Sequence, residues 1–285
     1  MEKSIVFIDF FKYISENHLS LEFDELLTVD GLLNYYNIRD LSLKTNATID
    51  AFPIPSLEIV RVLQLSGDIL NLVFHHHNPV IDKKEIYKII TDICLIGGNN
   101  PFTGYVQKKD GKRSILIECV DKVACIPTIT HEASHIIMPI SYTPNYHHTE
   151  MIPILVEFIA SYILDRMDIG ENNLELAYAY WVANLKHQII LKNKYDENQP
   201  EKIDFNEEGL SYAFNTNYTY TYIISTLYAF NLLPMFFDNY KSFLTKLSNS
   251  IISGENIQDL YKYYGLDFSS SKFMDEPTNI LKKYL

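Results

Sequence analysis

The chain is short of cysteine and of positive charge, and it has no apolar run long enough to cross a membrane. Cys94, Cys119 and Cys125 are odd in number and lack C-x-x-C spacing. That disfavours a disulfide framework and suggests free thiols in a reducing compartment. The 24 Lys and Arg face 36 Asp and Glu, for a formal net charge of −12. A phosphate backbone or an anionic lipid surface would be repelled on average, so neither nucleic acid nor a membrane is an expected partner. No apolar stretch reaches the roughly 18–20 residues of a membrane span. The first residues, MEKSIVFIDFFKYISENH, carry Asp9 and no small-residue cleavage site, which argues against a signal peptide. Repeats and low-complexity segments are also missing. The expectation is a soluble cytoplasmic protein.

What is present is apolar and aromatic: 47% hydrophobic residues, with 21 Tyr and 16 Phe. A chain of 285 residues with this composition can bury a large core, as one domain or as two closely packed lobes. The expected division is an N-terminal helical lobe over 1–100 and a second region over 101–285, which holds the chain's motifs.

Residues 128–165 carry the chemistry. They begin with His131-Glu132-Ala133-Ser134-His135 and continue into an apolar segment that contains Glu157. If 122–138 is helical, His131 and His135 lie one turn apart on one face, so both imidazoles can reach one ion with Glu132 beside it. Val123, Ile126, Ile129, Ile136 and Ile137 make this a buried helix, where unpartnered polar groups are costly. A metal supplies the partners. Glu157 lies within Ile154, Leu155, Val156, Phe158 and Ile159, a setting that makes a lone carboxylate expensive. It is the first choice for a third ligand, with Glu150, His147 and His148 as the competitors.

The remaining chain reads mostly as helices. Residues 4–39, 56–75 and about 83–96 have apolar positions at helical spacing. His75-His76-His77 point in different directions on a helix and fit a solvated end before Pro79 better than a metal site. Asp110-Gly111, between Thr103–Lys109 and Lys112–Val120, signals a hairpin. In its second strand Ser114, Leu116 and Glu118 share one face. Such a strand either receives an extended peptide as a further strand or is a plain flap. Pro139, Pro144 and Asn145 force a loop, and Thr149 is a candidate N-cap for a helix over about 150–168. A long amphipathic helix over 172–194 holds Trp181 and His187, the latter a surface or core histidine rather than a ligand. Asn217–Phe230 alternates Tyr218, Tyr220 and Tyr222 before a helical pattern, and Pro234 is expected to end that helix.

Together these motifs resemble the oligoendopeptidase F and thimet oligopeptidase family of zinc metallopeptidases. TITHEASHI, the downstream PILVEFIAS, the segment YTYTYIIS and the ending YKSFLTKLSNS…LYKYYGLDF carry the resemblance, and GYVQKKDGKRSILIE is similar to the family's substrate-side hairpin. It implies a mainly α, zincin-like fold with a small β-hairpin beside the active-site helix. It also implies one zinc ion on His131, His135 and Glu157, with Glu132 as general base and Tyr222, Tyr220 or Tyr218 stabilising the tetrahedral intermediate. Short peptides would be the substrates. The chain departs from the family in having Ser134 for a usual glycine, Ser211 for a usual histidine, and about half the usual length. These departures keep two alternatives in view, a zinc-bearing peptide-binding or regulatory protein and a maturation protease for one partner peptide. An oligomer is compatible with either.

Overall fold

The computed structural model describes residues 54–109, 112–138, 149–198, 207–255, 257–266 and 271–284. The expected helices over 4–39, the loop histidines His147 and His148, and the Asp110-Gly111 turn lie outside them. The architecture is mainly helical with one small sheet, as the sequence indicates. Helix α1 (Ile59–Asn71) runs into one π-helical turn, Leu72–His76, and α2 (Lys83–Thr91) follows. Val62, Leu65 and Ile69 form the buried stripe of α1, and Val73 continues it in the π-helical turn. The amide of Lys84 donates to the Asp82 carboxylate and caps the start of α2.

Three strands come next: β1 (Cys94–Leu95), β2 (Gly104–Lys109) and β3 (Lys112–Ile117). The order is β1-β3-β2, with β1 parallel and β2 antiparallel to β3. The hairpin is the one expected, but β3 is the inner strand and β2 is an edge among the described residues. Ile115 and Ile117 are fully buried, which turns their face of the sheet onto the next helix.

That helix, α3 (Cys125–Ile137), carries the H-E-x-x-H sequence, and α4 (Met151–Arg166) packs along it. Every residue of α4 from Met151 to Ser161 is buried, so the helix has no polar stripe and occupies the middle of the molecule. Pro153 falls in its first turn, where a missing amide donor matters least. Thr149 is not the N-cap. Glu150 holds that position, and its side chain makes no capping bond; it is engaged elsewhere.

Helix α5 (Asn173–Asn198) is tied to the end of α4 by Asp165. The Asp165 carboxylate accepts from the Asn173 amide at 2.7 Å and the Leu174 amide at 2.9 Å. Helix α6 spans Glu207–Asp238, so the tyrosine segment is helical throughout and Pro234 lies inside the helix instead of ending it. Leu232, Leu233 and Phe236 are buried around that proline, and their burial outweighs the lost backbone bond. Helices α7 (Tyr240–Ser253), α8 (Ile257–Tyr263) and α9 (Asp275–Tyr284) complete the fold, with a 3-10 turn over Ser271–Met274 before the last. One apolar core runs from Val62 on α1 through α3, α4 and α6 to Leu281 on α9. The described part of the first hundred residues therefore shares its core with the helix that bears the site. None of the described helices is long and apolar enough to cross a membrane, and all three cysteines are free.

Two substitutions test this framework. Asp165→Ala leaves the first amides of α5 without their acceptor and should cost about 1–2 kcal/mol, read as a lowered urea midpoint with an unchanged slope. Gly104 lies where β2 meets α3. A β-carbon there would stand 2.7 Å from Cδ1 of Ile117 and 3.0 Å from both Cγ of Glu132 and Cγ2 of Thr128. Gly104→Ala should therefore destabilise by about 1–3 kcal/mol, and an unaltered midpoint would show that the strand can move away freely.

Candidate metal centre

His131 and His135 are brought to one side of α3 by their four-residue spacing, and their ring centroids are 5.2 Å apart. Across from them, α4 presents two carboxylates seven residues apart, close to two helical turns, so Glu150 and Glu157 both face α3. They do different things. Oε2 of Glu150 lies 3.1 Å from Nε2 of His131 and 3.2 Å from Nε2 of His135. Oε2 of Glu157 lies 3.1 Å from the other ring nitrogen of His131, Nδ1.

This geometry differs from the arrangement expected from the sequence. Glu157 does not meet the imidazole pair; it engages the far nitrogen of one ring, and Glu150 is the carboxylate that converges with both Nε2 atoms. Donor atoms of His131, His135 and Glu150 all lie within 4.8 Å of one another. The signal that finds Glu150 is the Glu-x6-Glu spacing itself. Apolar flanks single out Glu157, whereas Glu150 borders the polar loop and reads as solvated until the helix start is placed.

The donor set fits a zinc ion. Ligands at about 2.0–2.1 Å in tetrahedral array stand about 3.3 Å from each other, close to the separations found here. A carboxylate can only accept, so both ring nitrogens of His131 donate in this structure, Nδ1 to Glu157 and Nε2 to Glu150; with an ion in place of the Nε2 proton, the bond to Glu157 would keep the proton on Nδ1 and the ring aimed at the common point.

Without an ion, protons balance the cluster. Burial would lower the His131 pKa, but hydrogen bonds to Glu150 and Glu157 and the charge of Glu132 hold it well above the ordinary histidine value. Burial would raise Glu150, yet the charge of His135 and hydrogen bonds from both imidazoles keep it well below the usual carboxylate range. Glu132 is pushed up, chiefly by burial and partly by the neighbouring carboxylates, against the pull of the two histidines.

Packing fixes the rings. The indole of Trp181 stacks on His131 at 5.9 Å, and Tyr222 stacks on the indole at 6.0 Å. The three rings form a column from α3 through α5 to α6. Ser134 fits the buried helix face by donating its hydroxyl to the Thr130 carbonyl at 2.7 Å.

A cavity of about 390 Å³ lies against the cluster, lined by Glu132, His135, Glu150 and Tyr222 and walled by Gly104, Tyr105, Val106 and Arg113. Strand β2 borders it with three residues, and β3 reaches it through Arg113. Ser114, Leu116 and Glu118 do not line the cavity; they alternate with Arg113, Ile115 and Ile117, whose face of the sheet turns toward α3. Tyr222 reaches the cavity. Tyr218 lies one helical turn before it on α6 and Tyr220 falls on the opposite side of the helix, but both side chains, like that of Ser211, are outside the described set. His187 is exposed on α5, away from the cluster, and Nδ1 of His75 is bonded to the carbonyl oxygen of Ile81 at 2.9 Å.

No family model matches the sequence, and no curated protein does. Solved structures do. An inferred peptidase from Chlamydophila abortus superposes with a TM-score of 0.56 at 11% identity, covering 90% of this chain and 54% of its own. An inferred oligoendopeptidase F from Bacillus anthracis strain Ames gives a TM-score of 0.50 at 15% identity, covering 81% of this chain and 46% of its own. This chain spans about half the length of either structure, and the likeness is one of fold.

Proposed function

We propose that this chain is a zinc-dependent endopeptidase acting on short peptides, with the ion held by His131, His135 and Glu150. The observation that carries the reading is the convergence of both Nε2 atoms on one carboxylate oxygen, beside a cavity lined by the spare carboxylate Glu132. The fold shared with two inferred peptidases supports it.

Bound zinc would polarise the scissile carbonyl and bring the pKa of a water toward about 7. The rest falls to the chain's own side chains. Glu132, whose burial raises its proton affinity, takes a proton from the attacking water and delivers it to the leaving amine. Tyr222, on the cavity wall, would donate to the carbonyl oxygen as charge builds there, worth about 3 kcal/mol for a well-aligned donor. The outer edge of β2 offers backbone groups to an extended peptide. Glu157 holds His131 in the tautomer a ligand needs.

A zinc-bearing peptide binder without turnover is the second reading, favoured by Ser211 in place of a donor. A maturation protease for one partner peptide would share the chemistry and differ in range. Both separate from the first by what is cleaved.

The purified chain should bind about one zinc per molecule, and His131→Ala, His135→Ala and Glu150→Ala should each lose it by metal analysis. Glu157→Gln should keep the site but weaken affinity about 10–100-fold in chelator competition. If Glu157→Ala abolished zinc binding while Glu150→Ala retained it, the assignment would be reversed. Glu132→Gln should bind zinc normally and release no new amino termini from a peptide library that the wild type digests. Equal digestion by both proteins would exclude Glu132 as the base.

A further inference from the structure

We infer, on the basis of the peptidase reading, that the hairpin beside the cavity selects peptides with an acidic residue on the amino-terminal side of the bond to be cut, through Arg113. The β2–β3 register sets Lys108 opposite Arg113 and Lys109 opposite Lys112. Like charges at facing positions weaken a ladder, and these four cations stand within six positions of a chain whose net charge is −12. Lysines on an edge strand have another use, since they discourage pairing with a second sheet. Arg113 does not fit that use, because it belongs to the inner strand.

Arg113 continues the face of Ile115 and Ile117 that packs toward α3. One of its guanidinium nitrogens, Nη1, donates to the His135 carbonyl oxygen at 3.1 Å, satisfying a carbonyl in the last turn of the helix. That bond uses one of five donors. It also anchors an otherwise exposed guanidinium on the cavity wall beside His135, with Glu150 and Tyr222 around the same space. Among the described residues no carboxylate forms a salt bridge with it. A planar, doubly donating cation of this kind is suited to a carboxylate brought by a ligand.

The direction follows from β2. The strand runs from Gly104, beside Glu132, to Lys108, opposite Arg113. Antiparallel pairing is the more stable arrangement, and it sets the amino-terminal part of a bound peptide at the Arg113 end. The carboxyl-side fragment, which carries the leaving amine, then lies at the Gly104 end next to Glu132, where that amine must receive its proton.

The test uses the full chain loaded with zinc and three dye-labelled peptides of one sequence. One carries Glu two residues before the susceptible bond, one carries Gln there, and one has the Glu moved to the other side. Anisotropy with the Glu132→Gln protein reads binding without turnover, and kcat/KM with the wild type reads cleavage. The first peptide should bind about fivefold more tightly than the second, as an exposed ion pair of about 1 kcal/mol gives, and less so as salt rises. Arg113→Gln should erase the difference and Arg113→Lys should keep part of it. Lys108→Gln/Lys109→Gln, which leaves the bond to α3 intact, should reduce it. Equal affinity for all three peptides, preference for the displaced Glu, or a preference that survives Arg113→Gln would each overturn the inference. If the wild type binds the first peptide preferentially but cuts none, the peptidase reading fails and the selection by Arg113 stands.

Discussion

Two carboxylates and two imidazoles enclosed between α3 and α4 set the terms for the rest of the molecule. Charged groups removed from water must be matched nearly one for one, since the loss of hydration exceeds what a single distant partner returns. Glu150 is shared between two rings and Glu157 is given to one, so each buried charge has a neighbour within 3.2 Å. The helices cannot slide past one another by a turn without leaving a carboxylate stranded among isoleucines. The geometry of the cluster and the register of the two central helices are therefore one constraint.

The surrounding elements act on that pair in sequence. Asp165 fixes where α5 begins, α5 carries Trp181 against His131, and α6 brings Tyr222 against the same indole. The sheet closes the opposite side. Gly104 allows β2 within contact of Glu132, and Arg113 ties β3 to the end of α3. Each tie is modest by itself, yet together they leave the imidazole of His131 few ways to turn.

Much of this was legible in the letters. The histidine pair, its buried helix, the hairpin and the mainly helical class all follow from spacing and burial patterns, which depend on local periodicity. The division of labour between Glu150 and Glu157 does not. It depends on which face of α4 meets α3, and a helix apolar on every side, as α4 is, gives no face to read. The place of β3 inside the sheet was hidden for a related reason: the two-residue strand Cys94–Leu95 is too short to leave a pattern of its own. Pro234 misled because a proline's local cost is visible in sequence, whereas the burial of Leu232, Leu233 and Phe236 around it is not.

The aromatic column has an optical consequence. Trp181 is the sole indole of the chain, and it lies in ring contact with a single imidazole of the buried cluster. Near-ultraviolet emission excited at the red edge of the spectrum thus originates next to the atoms whose protonation and ligation matter most. An imidazolium quenches a stacked indole more strongly than a neutral ring does, so the protein carries its own lamp for the occupancy of the centre.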